Sequence, residues 1–153
     1  MKRHDDRQRR LCLDELEGDR WPAADPDATY LVQRCHQLRL VPIGDMSIED
    51  LRILLGQDIG TRWLLPVAVE ALTLDPLAQG DFYPGDLLQN VLKAAPDAFW
   101  SEQPEQTTAL LAALNELDPE WVEEQIASEL VAAAIRRLND AGPAHHPDPG
   151  PRS

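Results

Sequence analysis

Nucleophilic side chains in this sequence lie in patterns that do not support catalysis. Nucleophilic catalysis requires a serine or cysteine within hydrogen-bond reach of a base. Cys35 and His36 are adjacent, and because neighbours on a helix point about 100° apart, they do not form a dyad. Cys35 falls on an apolar helix face, which favours a small core residue. None of the serines outside the C-terminal tail lies in a catalytic motif: Ser47, Ser101 and Ser128.

Metal-ligand patterns are absent from the sequence as well. The chain has four histidines and two cysteines, but no HExxH motif, no paired CxxC motif and no EF-hand loop. Two cysteines are also too few for a disulfide scaffold. The segment from Gly56 to Gly60 is bounded by glycines but lacks the lysine of a phosphate-binding loop. We therefore expect neither a metal nor another cofactor.

Acidic pairs are the remaining candidate chemistry. Three close pairs could in principle serve as a general acid and base: Glu49-Asp50, Asp81…Asp86 and Glu123-Glu124. The chain has 27 acidic residues among 153, so such pairs are expected by chance. We interpret most of them as solvated carboxylates or as helix-start residues stabilised by the helix dipole. The sequence thus predicts that the protein is not an enzyme. The alternative that remains open is an enzyme that uses one of these carboxylate pairs.

The charge balance excludes several classes of partner. The formal net charge is −13, and the first ten residues hold five basic and two acidic side chains, so residues 11–153 carry −16. A surface of that sign repels nucleic-acid phosphates and anionic lipid headgroups. No apolar run approaches the roughly 20 residues of a membrane-spanning helix, and the N-terminus has no apolar signal segment. We expect a cytoplasmic protein that binds neither nucleic acid nor membrane.

Helix signals occur throughout the body of the chain. Asp25-Pro26 and Asp118-Pro119 combine a capping residue with proline at the first helical position, and Ser47 with Asp50 forms a capping box. Apolar periodicity predicts helices at about residues 28–40, 48–55, 61–74, 84–93, 96–101, 104–116 and 119–138. No stretch shows the period-two alternation of a strand. We predict an all-α fold, a single-domain bundle of five to seven helices.

The two ends of the chain differ in composition from this body. Residues 1–10 are charged without periodicity, and residues 141–153 are proline-rich with no core-forming side chain larger than alanine. Such segments bury too little apolar surface to offset their ordering entropy. We expect a disordered basic N-terminus at 1–10, one all-α domain at 11–140 and a disordered tail at 141–153.

An ordered series of motifs runs through the first two-thirds of the chain. SIEDLR at 47–52 leads to Gly56 and Gly60, DPL at 75–77 precedes GDFYPGDLL at 80–88, and Phe99-Trp100 follows. Over about residues 13–101 this order resembles one group of contact-dependent growth inhibition (CDI) immunity proteins. Arg62-Trp63 departs from that pattern, and the segment beyond Leu138 has no counterpart in it.

The resemblance implies a small cytoplasmic protein that binds and neutralises a toxin domain delivered by a neighbouring cell, without catalysis. Such toxins are often basic nucleases, and an acidic surface would steer a basic partner into contact. Two acidic segments are our candidates for contact with the C-terminal domain of the toxin, one near residues 45–58 and one in the loop at 80–86. The candidate residues are Asp45, Glu49, Asp50, Asp58, Asp81, Tyr83 and Asp86.

A second interpretation comes from a different class of function. A helical adaptor or scaffold protein could carry the same acidity for solubility alone. The loop at 80–86 also has a structural interpretation, in which Phe82 and Tyr83 close the core and Asp81 caps the next helix. The sequence leaves the identity of the toxin and the oligomeric state open.

Overall fold

The computed structural model describes the backbone of residues 2–141 and the side chains of residues 6–141. About two-thirds of this described part is helical. A short 3-10 helix, Ile43–Asp45, lies between the third and fourth α-helices. The ten α-helices of this described part are α1 (Lys2–Arg9), α2 (Leu13–Glu17), α3 (Tyr30–Leu38), α4 (Ile48–Gly56), α5 (Thr61–Leu74), α6 (Asp86–Ala94), α7 (Asp97–Glu102), α8 (Pro104–Asn115), α9 (Pro119–Glu124) and α10 (Ser128–Ala141).

The all-α prediction is confirmed, since the described residues form no strand and only one isolated bridge, between Gln79 and Pro84. The predicted count of five to seven helices is wrong. Three additions account for the difference: α1, α2 and the division of the last predicted helix into α9 and α10.

We expected both ends of the chain to be disordered, and the structure describes the two ends to different extents. Residues 2–9, which we expected to be disordered, form α1 instead, and the Arg9 guanidinium at its end forms an ion pair with Glu70 of α5. This ion pair attaches α1 to α5, and a contact between segments so distant in the sequence cannot be predicted from sequence periodicity. At the other end α10 extends to Ala141, and the rest of the proline-rich tail, 142–153, lies outside the described residues.

Local capping explains where several helices begin. Ser47 Oγ accepts the Asp50 N–H, and Asp50 Oδ2 accepts the Ser47 N–H, so the predicted capping box is confirmed. Asp118 caps α9 as its sequence predicts. Helix α3 begins later than expected, because Thr29 is its N-cap while Asp25 accepts the Asp27 N–H in a turn of its own.

The core is centred on α5, which packs against α4, α6 and α8. Its sequence is apolar on nearly every side, as expected for a helix surrounded by others. The large side chains that are fully enclosed include Trp100 and leucines from α2 to α6: Leu13, Leu38, Leu51, Leu54, Leu64, Leu65, Leu72, Leu87 and Leu88. Helix α4 packs most extensively on α6, and the loop at 80–86 connects α5 to α6 beside that contact.

Candidate partner interface

The loop at 80–86 is organised from beneath by a buried carboxylate. Asp86, only 2% exposed, accepts the Gly80 N–H at 2.7 Å through Oδ1. Its Oδ2 accepts the N–H groups of Phe82 at 3.0 Å and Tyr83 at 3.4 Å. These bonds satisfy backbone donors that the turn would otherwise leave without partners. Asp86 therefore shapes the loop and does not present its carboxylate to a partner.

A guanidinium from α4 joins Asp86 of this loop to one further carboxylate, that of Glu49. Arg52 Nε lies 2.6 Å from Glu49 Oε1 and 3.8 Å from Asp86 Oδ2. Glu49 Oε1 also accepts the backbone N–H of Asp81 at 2.8 Å. The structure thus brings Glu49, Asp81 and Asp86 together around Arg52, although they are up to 37 positions apart in the sequence.

The charges of this cluster are not balanced. The hydrogen bond from Arg52 lowers the pKa of Glu49, and the same bond raises the pKa of Arg52. Desolvation and the neighbouring Glu49 carboxylate raise the pKa of Asp81, although its side chain is exposed. Arg52 thus favours the charged form of Glu49, whereas Asp81 forms no ion pair with any side chain of residues 6–141. A cation from a partner at Asp81 would therefore be favourable.

Aromatic side chains of the same loop face solvent. Phe82 is 67% exposed and Tyr83 is 43% exposed, so neither closes the core. The Arg52 guanidinium lies 4.3 Å from the centre of the Phe82 ring, and the Tyr83 hydroxyl donates to Gln89 Oε1. The structural interpretation of the loop, in which Phe82 and Tyr83 close the core, is therefore wrong, and no sequence signal shows that the Phe82 ring lies on the surface.

Three candidate residues lie outside the cluster of Arg52 with Glu49, Asp81 and Asp86: Asp50, Asp45 and Asp58. Asp50 is held by the capping box and by Arg34, whose Nη2 lies 3.1 Å from its Oδ1. Asp45 ends the 3-10 helix and is exposed. Asp58 is also exposed and accepts the Thr61 hydroxyl at 2.8 Å. Of the seven candidates, Asp45, Asp58, Asp81 and Tyr83 thus keep exposed side chains.

Cys35 and His36, the other potentially reactive side chains, have contacts that indicate structural roles. Cys35 is buried, and burial raises the pKa of its thiol. His36 directs Nδ1 to the Pro22 carbonyl oxygen at 2.7 Å and packs its ring edge against Trp21. Within residues 6–141 no group of histidine, cysteine and acidic side chains is arranged to hold a metal ion.

Sequence reasoning also missed a buried cation that fixes the N-terminal part of the fold. Arg39, 1% exposed, places Nε 2.8 Å from Asp14 Oδ1 and donates through Nη2 to the Asp19 carbonyl at 3.1 Å. Its guanidinium lies 4.1 Å from the centre of the Trp21 ring. The network attaches α2 and the segment after it to the end of α3.

Comparison with known proteins gives a family match, although no curated protein matches the chain. Residues 15–110, from α2 to α8, match the family model described as CDI immunity proteins. Proteins of this family are non-catalytic inhibitors of toxins. None of the helices in residues 2–141 has the length and apolarity needed to cross a bilayer. Because the match covers more than half of the chain, this protein belongs to the family of CDI immunity proteins.

Proposed function

We propose that this protein binds the C-terminal domain of a cognate CDI toxin in the cytoplasm, in a stoichiometric complex, and blocks it through an acidic surface. The family match supports a toxin as the partner. The net charge of −13 favours a basic toxin domain, such as a nuclease, because opposite charges accelerate encounter and suppress wrong partners.

The observation that carries this proposal is the preorganised loop at 80–86. Its backbone N–H groups are bound by Asp86 and Glu49 from below, while the side chains of Asp81 and Tyr83 remain exposed above. A loop that is already ordered loses little conformational freedom when it binds. Asp81 carries the charge that Arg52 leaves uncompensated, so it suits a lysine or arginine of the toxin.

Blocking follows from the same chemistry. A nuclease holds the phosphates of its substrate with cationic side chains. Exposed carboxylates such as Asp81, Asp45 and Asp58 form ion pairs with those cationic side chains in place of the phosphates. The bound immunity protein also excludes the nucleic-acid substrate sterically. No residue of the immunity protein needs to perform catalysis in this mechanism.

The test uses the toxin domain encoded by the reading frame beside this gene, in an inactive form, and compares two charge reversals. Asp81→Lys should weaken the complex about tenfold or more, because it places a like charge against the toxin. Glu116→Lys, an equally large charge change at an exposed residue at the end of α8, should leave affinity nearly unchanged. Surface plasmon resonance measures both affinities, and growth of cells that express active toxin reports protection.

Equal losses in the two variants would contradict a local role for Asp81. A wild-type protein that binds no toxin, and instead recovers resident cellular proteins in a pull-down, would favour the adaptor interpretation.

A further inference from the structure

Ile126, between α9 and α10, has an unusual backbone conformation. Its N–H donates to the Glu123 carbonyl and the Ala127 N–H donates to the Val122 carbonyl, the bond pattern that ends a helix with a left-handed residue. The φ angle of Ile126 is 56°. Glycine usually occupies this position, because a β-branched side chain is strained there.

Two other helices of this chain end with the same pair of bonds, and they use residues suited to the conformation. Gly18 follows α2 with φ 64°, and Asp58 follows α4 with φ 58°. Glycine lacks the steric penalty, and aspartate tolerates it. Ile126 is the exception, and it is also 94% exposed, so no burial in the free protein compensates for the strain.

The side chain of Ile126 lines a groove that reaches the loop at 80–86. This groove of about 670 Å³ lies between Tyr83 and Pro84 of the loop, α6 and the start of α10. Leu130 packs so closely against the loop that a Cβ on Gly85 would lie 2.6 Å from its Cδ2. Ile126 and Tyr83 therefore place two exposed hydrophobic side chains along one groove.

The groove wall holds one acidic and one basic side chain, and the residues that adjoin its lining in the sequence are mainly acidic. Glu129 and Lys93 lie in its wall, Asp81 lies in the adjoining loop, and Glu123 and Glu124 immediately precede the Ile126 turn. An apolar groove with a net negative border suits a basic protein that presents an apolar side chain among its cations.

We propose that the toxin domain docks in this groove, with Ile126 as the apolar anchor and the loop at 80–86 as the acidic wall. The inference rests on the proposed function and specifies the surface. It also combines two parts of the chain, because the loop lies within the family match at 15–110 and Ile126 lies outside it. A family-shared loop next to a turn outside the match gives a surface that selects one toxin over others.

Replacement of Ile126 by glycine separates binding from folding. Ile126→Gly removes an exposed side chain and relieves the strain at φ 56°, so the thermal unfolding temperature should stay equal or rise. The affinity for the inactive toxin domain should fall about tenfold or more, as for a hot-spot residue. Ile126→Asn, which also suits the conformation, should behave in the same way.

The matched control is Leu74→Ala, which truncates another aliphatic side chain of 85% exposure at the end of α5. Its affinity should equal that of the wild type. Full affinity in Ile126→Gly would overturn the proposed surface while leaving the proposed function intact, whereas absence of binding by the wild type would overturn the function itself. Sedimentation velocity completes the test, because a wild-type dimer that dissociates in Ile126→Gly would assign the surface to self-association instead.

Discussion

At the scale of single residues, the described part of the chain depends on charged side chains in two opposite ways. Arg39 is enclosed by α2 and α3 and matched by Asp14 and the Asp19 carbonyl, so its charge serves the fold. Its Nη1 also lies 2.7 Å from Glu17 Oε1, without good hydrogen-bond geometry. Asp81, in contrast, is exposed and lacks a cation of its own, so its charge is available to a partner.

Arg39→Ala should reduce the free energy of unfolding by about 3–5 kcal/mol, because it leaves the Asp14 carboxylate buried without its counterion. Urea denaturation followed by circular dichroism measures the loss. The paired replacement Asp14→Leu with Arg39→Met should recover a large part of it, since removal of both charges removes the desolvation cost. A loss below about 1 kcal/mol in Arg39→Ala would contradict a structural role for the ion pair.

Glu49 should make stability depend on pH through its bond to Arg52. Its pKa in the folded protein lies below the ordinary value of 4.5, so its stabilising contribution is complete above about pH 4.5 and disappears as the pH falls through the folded value. We expect Glu49→Gln to destabilise the protein at neutral pH, and this difference to shrink below pH 4.5.

The comparison is best made in an Asp81→Asn background, because the raised pKa of Asp81 acts in the opposite direction. Urea unfolding at a series of pH values gives the difference. Glu102→Gln, at an exposed residue of α7, is the control and should show no such dependence. A difference that stays constant from pH 7 to pH 3 would argue against the assigned role of Glu49.

At the scale of helices, packing decides the junctions between elements. The sequence predicts one helix over 119–138, but residues nine positions apart on a continuous helix lie about 180° apart around its axis. Val122 and Val131 are both buried, which a straight helix would prevent. The turn at Gln125–Ala127 brings both to the core, and no proline or glycine marks it in the sequence.

A pair of glycines distinguishes backbone strain from packing at such junctions. Gly18 and Gly60 both have left-handed φ angles, of 64° and 65°. A Cβ on Gly18 would meet open space, whereas a Cβ on Gly60 would lie 2.6 Å from Cδ1 of the buried Leu13. Gly18→Ala should cost about 1 kcal/mol of unfolding free energy, and Gly60→Ala about 2 kcal/mol or more. If urea denaturation gives equal losses of unfolding free energy for the two variants, α2 must shift to accommodate the methyl group added at position 60.

At the scale of the whole molecule, the proposed function predicts that the net charge of −13 accelerates encounter with a basic toxin domain. Electrostatic steering acts over distances that salt shortens, from a Debye length of about 30 Å at 0.01 M to about 8 Å at 0.15 M. The association rate should therefore fall about tenfold or more between these salt concentrations, while the dissociation rate changes little. Stopped-flow fluorescence measures both rates. An association rate that does not respond to salt would exclude steering.

The fold was largely predictable because the signals of helices are local. The Ser47 capping box, the Asp118 cap and the apolar stretch of α5 depend on residues within a few positions of one another. The candidate site was less predictable. Exposure of Asp81 and enclosure of Asp86, five positions apart, depend on how the loop packs against α4, which is distant in the sequence.

The helical class, the acidic charge and the family resemblance follow from the linear chain, since composition, short-range hydrogen bonding and ordered motifs are all local properties. Which carboxylates stabilise the fold, the burial of Arg39 and the exposure of Ile126 in the groove that Tyr83 also lines became visible in the folded protein alone. Burial and charge compensation depend on contacts between distant segments, and these contacts form when the helices pack.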